Sequence, residues 1–258
     1  MTTASACTTF ADYTAALSAS LEQRNDALAL VLLGSTADTS RVDEWSDHDF
    51  FVVTVDGAQE AFRTDLSWLP NAAELTLTVR ETDHGLKAVY ADGRVLEFAV
   101  FSLDELELDE ANAWEVAFDK ADATERMRAI AARPKASASV DVSRGIHLFL
   151  ALILIGVGRA RRGEVITAGQ FVRTHALSNL LSVLAATKRG DTERLDSLDP
   201  FRRFEFAFPA LGAEIAAALD SAPERAAKAL LAIAERELSK RDDWPLAAVR
   251  TVRDRLAW

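Results

Sequence analysis

A single cysteine, Cys7, stands in 258 residues, so the chain cannot close an internal disulfide. Its fold must rest on a packed core, and a reducing, cytoplasmic setting is expected. Lying so near the terminus, Cys7 is also a poor candidate nucleophile. The four histidines have no cysteine or histidine partner at metal-ligand spacing, which removes the usual basis for a zinc site. Low-complexity tracts are missing and 49% of residues are apolar, which argues against a long disordered stretch. The opening MTTASACTTFADY holds neither a basic nor an apolar leader region, so no secretory signal is expected. The most apolar run, Ile146–Val157, is shorter than the ~20 residues of a bilayer-spanning helix, so no membrane partner is expected.

Positive charge is scarce in the first half. Residues 1–135 carry 25 acidic and 11 basic side chains, a net of −14 within an overall −11, whereas the remainder is +3. Such an acidic half repels a nucleic-acid backbone, so no nucleic-acid partner is expected. Metal ions and cationic small molecules suit it better.

What is present falls into two styles that meet near Pro134. Before it, helix and strand patterns alternate. Phe10, Tyr13, Leu17 and Leu21 have helical spacing. Ala27–Leu33 and Asp49–Val55 are continuous apolar runs, as buried strands are. Ala58–Leu69 has helical character, and Glu74–Glu81 alternates with Leu75, Leu77 and Val79 on one face. Leu86–Ala91 and Arg94–Phe101 flank Asp92-Gly93, a strong hairpin signal. These features predict a mixed sheet of about five strands with flanking helices, an α/β or α+β unit. Pro134–Ser139 reads as a linker. Beyond it no strand is expected. Helices are predicted over Val142–Arg161, Thr167–Thr187 with Thr167 as N-cap, Pro223–Lys240 and Pro245–Leu256, forming a bundle. The boundaries drawn are 1–133 and 134–258.

The segment LALVLLGSTADTSRVDEWSDHDFFVVTV concentrates the chemistry. Residues i and i+2 of a strand share a face, so Asp47 and Asp49 project together and His48 faces away. Two carboxylates so close call for a cation, and Mg²⁺ takes such oxygen ligands while bridging to nucleotide phosphates. Gly34 lets the backbone approach a phosphate, Ser35 adds a hydroxyl, and a helix starting at Ser35 or Thr36 would aim its N–H groups there. Glu97 is the only charge inside Arg94–Phe101, flanked by Leu96 and Phe98, and a buried acid there needs a partner. Trp45 could line the same site or simply be an exposed loop aromatic. His147, in the most apolar helix, reads as a hydrogen-bonded core residue. Arg159, Arg161 and Arg162 read as favourable charge at a helix C-terminus, with triphosphate contact across the domain cleft as the alternative.

Leu33, Gly34-Ser35, a gap of about a dozen residues and Asp47-His48-Asp49-Phe50 together resemble the core motif of the nucleotidyltransferase superfamily, DNA polymerase beta and the aminoglycoside-modifying enzymes included. Ala117-Phe-Asp-Lys120 is similar to a segment of the antibiotic adenylyltransferases acting on aminoglycosides and lincosamides. The resemblance implies an α+β nucleotidyltransferase-type sheet with flanking helices, followed by an all-α bundle for acceptor binding or dimerisation. It implies Asp47, Asp49 and Glu97 as catalytic residues, Asp47 and Asp49 as metal ligands, and Gly34 and Ser35 as nucleotide-binding. Glu97 would be a third metal ligand or a general base. Two Mg²⁺ ions and ATP or another nucleoside triphosphate are the implied cofactor and substrate, with a small-molecule hydroxyl, aminoglycoside-like, as acceptor; some relatives are homodimers. Two other readings stand beside it: modification of a protein side chain, and a degenerate member that binds nucleotide or a partner without catalysis. The sequence departs from the family pattern at Asp38 and Thr39, where glycine or arginine is common; Arg41 could substitute as a phosphate contact.

Overall fold

A computed structural model describes residues 3–108, 113–132, 140–191, 195, 199 and 201–258. The chain divides into two compact units, Met1–Lys135 and Ala136–Trp258. The linker expected at Pro134–Ser139 lies outside the described residues, as does the side chain of Cys7.

The first unit is a mixed six-stranded sheet with helices on both faces. In chain order its elements are α1 (Thr3–Glu22), β1 (Ala27–Leu33), the single turn α2 (Gly34–Ala37), β2 (His48–Thr54), α3 (Gln59–Thr64), β3 (Leu75–Arg80), β4 (Gly85–Tyr90), β5 (Val95–Phe101), β6 (Trp114–Asp119) and α4 (Ala123–Ala132). The strand order is β3-β4-β5-β2-β1-β6, and β2 with β5 is the parallel pair in an otherwise antiparallel sheet. Alternation along the strands builds two cores. Leu30, Phe50, Val52, Leu96 and Phe98 pack against Leu17 and Leu21 of α1 and Phe62 of α3. Val31, Phe51, Val53, Ala99 and Phe101 pack against Met127 and Ile130 of α4. β1 and β2 are apolar on both faces because both faces are covered.

β6 is a sixth strand where about five were expected. It pairs with β1 through a register shift between Leu30 and Val31, so Trp114 and Val116 meet one core and Phe118 the other, although the three alternate with Glu115, Ala117 and Asp119 in the sequence. Ala58–Leu69 yields only the six-residue α3. At the sheet edge Leu77 and Val79 are 50% and 48% exposed, so their alternation marks a strand without a covered face.

The second unit is helical throughout its described residues: α5 (Val142–Arg161), α6 (Val165–Gln170), a π-helical turn (Phe171–Ala176), α7 (Leu177–Thr187), α8 (Phe204–Ala207), α9 (Pro209–Leu219), α10 (Pro223–Leu238) and α11 (Leu246–Leu256). Asp141 caps α5, accepting from the Arg144 N–H at 2.9 Å. Of the described helices, α5 alone is long and apolar enough to cross a membrane, and its Ile146, Phe149, Leu150 and Ile153 are buried in the helical core. A Cβ on Gly156 would fall 2.8 Å from Val172 Cγ2, so glycine there permits the close approach of the π-helical turn. Two expectations are corrected. The helix placed at Thr167 begins at Val165 with Glu164 at its N-cap position, so Thr167 lies inside it. His147 is exposed, donating through Nδ1 to the Ser143 carbonyl at 2.7 Å, on the polar side of a helix whose other face supplies the core.

Candidate active site

The site grows from the end of β1. The chain leaves Leu33 and turns at Gly34, whose φ of +52° lies in the left-handed region open to glycine. A Cβ built there would sit 3.5 Å from Asp49 Oδ2, so the turn and that carboxylate are immediate neighbours. The Gly34 N–H donates to the Ala113 carbonyl at 3.0 Å and is thereby committed to the fold. The first turn of any helix leaves N–H groups without an intrahelical partner, and in α2 these follow Gly34, where Ser35 is half-buried.

Thr36, which the sequence offered only as a possible helix start, ties the two halves of the motif together. It is 3% exposed, and its Oγ1 accepts the Asp49 N–H at 2.9 Å. A buried polar side chain needs a partner, and here the partner is the backbone of the residue it positions. The only prior signal was its place beside Gly34-Ser35.

His48 anchors β2 from the opposite face. Its ring stacks on Phe10 at a centroid distance of 3.8 Å and an interplanar angle of 13°, with Tyr13 at 4.6 Å. Burial, reinforced by the nearby Arg94 charge, pushes its pKa down to about 3, so the imidazole is neutral. It therefore works as an uncharged aromatic wedge that fixes which way the flanking residues face.

Asp49 pairs in register with Glu97 of β5. In a parallel pair such partners stand side by side about 4.8 Å apart and share a face. Both line a cavity of about 370 Å³ with Phe51, His84 and Phe101, within the usual range for small-molecule sites. Asp47 is the half-buried residue directly before β2 and is not part of that lining.

Glu97 departs from its expected surroundings. Its side chain is 50% exposed, and its charge partner is Lys87, whose Nζ lies 3.5 Å from Glu97 Oε1 and 2.8 Å from Glu81 Oε2. The apolar flanks Leu96 and Phe98 belong to the other face of the strand, which is why the sequence made Glu97 look buried. Among the described residues no three His, Cys, Asp or Glu side chains gather closely enough to hold a metal ion. The oxygen-only donors nonetheless suit Mg²⁺, which commonly takes one or two protein carboxylates and completes its shell with water and phosphate. Asp49 with Asp47 or Glu97 could provide such a pair; among the described residues a preformed three-carboxylate cage is not present.

The cavity wall at His84 is held from behind. Arg63, with a side chain 8% exposed, donates to His84 Nδ1 at 2.8 Å, to the Val100 carbonyl at 3.2 Å and to Glu105 at 3.1 Å. Trp45 is 86% exposed and borders a separate cavity of about 640 Å³ with Ser46, His48, Asp92 and Arg94. Arg41 is exposed, and the Asp38 carboxylate accepts from the Ser40 N–H and hydroxyl.

The Ala117–Lys120 segment has structural work. Burial alone would raise the Asp119 pKa, but hydrogen bonds from Thr124 and from the Ala121 and Ala123 N–H groups hold it down to about 2, and the carboxylate caps α4. Lys120 Nζ donates to the carbonyls of Glu22, Arg24 and Ala27 at 2.6, 2.8 and 3.2 Å, closing the α1–β1 connection.

No protein-family model matches the chain, and no curated protein matches it. Among solved structures it is similar to an aminoglycoside 6-adenyltransferase from Bacillus subtilis, at 14% identity and a TM-score of 0.30, over 95% of this chain and 90% of that one. It is similar also to a nucleotidyltransferase-like protein from Exiguobacterium sibiricum, at 13% identity and a TM-score of 0.35, over 95% and 88%. A third is the CdnC:HORMA-deltaN complex of E. coli MS115-1, at 12% identity and a TM-score of 0.30, over 91% of each chain. These likenesses are in outline only, and the role of each residue above rests on this chain's own geometry.

Proposed function

We propose that the chain is a nucleotidyltransferase that moves a nucleoside monophosphate, AMP from ATP, onto a hydroxyl of a small molecule of aminoglycoside-like, polycationic character. The observation that carries the reading is the meeting of the Gly34 turn with the Asp49 carboxylate, beside its register partner Glu97. Backbone open to a phosphate thus adjoins paired acids. In the reaction the acceptor oxygen bonds to the α-phosphorus, the bond from that phosphorus to the bridging oxygen breaks, and pyrophosphate leaves. Asp47 and Asp49 would hold the divalent cation, which when bound offsets phosphate charge and lowers the pKa of the acceptor hydroxyl. Ser35 would contact phosphate through its hydroxyl. Thr36 keeps Asp49 in place, and Glu97 either adds a ligand or receives the hydroxyl proton. Most of the rate would come from positioning and electrostatics. The acidic first unit suits a cationic acceptor.

A second reading, a degenerate relative that binds nucleotide without turnover, is favoured by one observation: Glu97 is engaged by Lys87. Mg²⁺-dependent release of pyrophosphate from nucleoside triphosphates, over a panel of aminoglycoside and lincosamide acceptors, separates the two. Turnover abolished by Asp49→Asn supports transfer. Nucleotide binding that needs Asp49, with no turnover on any acceptor, supports the degenerate reading. Binding that ignores Asp49→Asn removes both.

A further inference from the structure

The second unit carries a cavity that the transfer chemistry does not use. It lies where the C-terminal ends of α5 and α11 come together, has a volume of about 480 Å³, and is lined by Arg159, Arg161, Arg162 and Arg255 with Leu154 and Ile155. Two helix C-termini favour cations, which accounts for some of these arginines. Arg161 is of that kind: it donates to the Leu256 carbonyl at 2.7 Å and pairs with Glu224.

The remaining charge exceeds what those helix ends and their ion pairs use. Arg159 and Arg162 share one carboxylate, Glu164, at 2.7 and 2.9 Å. Arg255 has no ion pair among the described residues. Among the described residues, four guanidinium groups thus face the two carboxylates Glu164 and Glu224, in a protein whose net charge is −11. The Arg159 Nε–H is buried without a hydrogen-bond partner among the described residues, a condition buried donors rarely tolerate. Beside these cations Ile155 is 44% exposed, and Val165 and Ile166, directly after Glu164, are 57% and 92% exposed.

We propose that this cavity binds a phosphate monoester or diphosphate group, with the organic remainder of the ligand resting on Leu154 and Ile155. Guanidinium forks match phosphate oxygens in geometry and charge. An incoming phosphate would compete for the fork of Arg159, whose Nε–H has no partner among the described residues, and would pair with Arg255. The shared chemistry could come from a soluble organic phosphate or from an anionic lipid headgroup, and the exposed Ile155, Val165 and Ile166 give the lipid source an apolar seat.

The test is calorimetric titration of the full chain with sodium pyrophosphate, alongside co-sedimentation with phosphatidylcholine vesicles with and without phosphatidic acid. Asp49→Asn without added Mg²⁺ is the background, which weakens binding at the proposed catalytic site, and loss in the arginine variants assigns the remaining signal to this cavity. We expect binding in one arm, weakened by salt, reduced about tenfold or more by Arg162→Ala or Arg255→Ala, and largely kept by Arg255→Lys. Stronger binding to pyrophosphate identifies a soluble ligand, and stronger binding to phosphatidic acid a headgroup. Arg255 makes no ion pair among the described residues and Arg162→Ala leaves Glu164 to Arg159, so both variants should fold, which circular dichroism checks. Absence of binding in both arms at about millimolar phosphate, or alanine variants that bind like the parent, overturns the proposal. Either failure leaves the reading of Asp49 untouched.

Discussion

Acidification should loosen the first unit through one residue, His48. Its folded-state pKa is about 3, against an ordinary 6.5. The sign follows from linkage: a group depressed in the folded state leaves stability intact above its unfolded pKa and removes it as pH falls toward the folded one. Between about pH 6.5 and pH 3 the unfolded chain binds a proton that the folded chain refuses. At about pH 5 the accumulated loss relative to pH 7 is ~2 kcal/mol. Other groups also titrate in this range, so the contribution is isolated by comparison with His48→Phe, which keeps an aromatic ring against Phe10. Urea unfolding of both proteins at the two pH values gives the double difference. Wild type should lose about 2 kcal/mol more than His48→Phe on acidification. Equal losses would show that His48 is not the buried, neutral wedge that sets the pleat of β2.

Thr36→Val leaves the Asp49 N–H without its acceptor and should cost about 1–3 kcal/mol in chemical denaturation, with Thr36→Ser restoring most of it. Gly34→Ala places an L-residue at φ +52° for about 1–2 kcal/mol of strain, and should weaken nucleotide binding measured by calorimetry by more than the stability loss alone explains. Asp119→Ala removes the cap of α4 and should lower stability by about 1 kcal/mol near neutral pH, an effect that fades in acid as the wild-type carboxylate is protonated toward its pKa of about 2. Lys87→Met should change stability by less than about 1 kcal/mol, since the pair is exposed, yet tighten Mg²⁺ binding if Glu97 is a ligand once released.

Local patterns were legible where chemistry is local. β1 and β2 are continuous apolar runs, and the hairpin at Asp92-Gly93 announced itself through a glycine found at φ +88°. The turn of His48 to the face opposite Asp49 followed from strand alternation. What escaped depends on pairing between distant segments. Glu97 looked buried because Leu96 and Phe98 flank it, but those residues serve the other face, and Lys87 reaches it only through the β4–β5 register. Thr36 matters because β2 returns beside α2, and no spacing rule carries that information. β6 carries a legible alternation of Trp114, Val116 and Phe118 with Glu115, Ala117 and Asp119 that the expectation of about five strands leaves out, whereas α4, α8 and α9 have weak or short apolar periodicity. His147 shows the reverse error: an apolar helix need not bury every position, and this one faces out.

The central claim, that the Gly34 turn and the Asp49 carboxylate form one metal-dependent nucleotide site, is met most directly by a single titration. Calorimetric binding of a non-hydrolysable ATP analogue, with and without Mg²⁺, would be compared between wild type and Asp49→Asn. Binding to wild type should depend on Mg²⁺ and drop by about tenfold or more in the variant. Equal affinity in the two proteins, or binding indifferent to Mg²⁺, would contradict it.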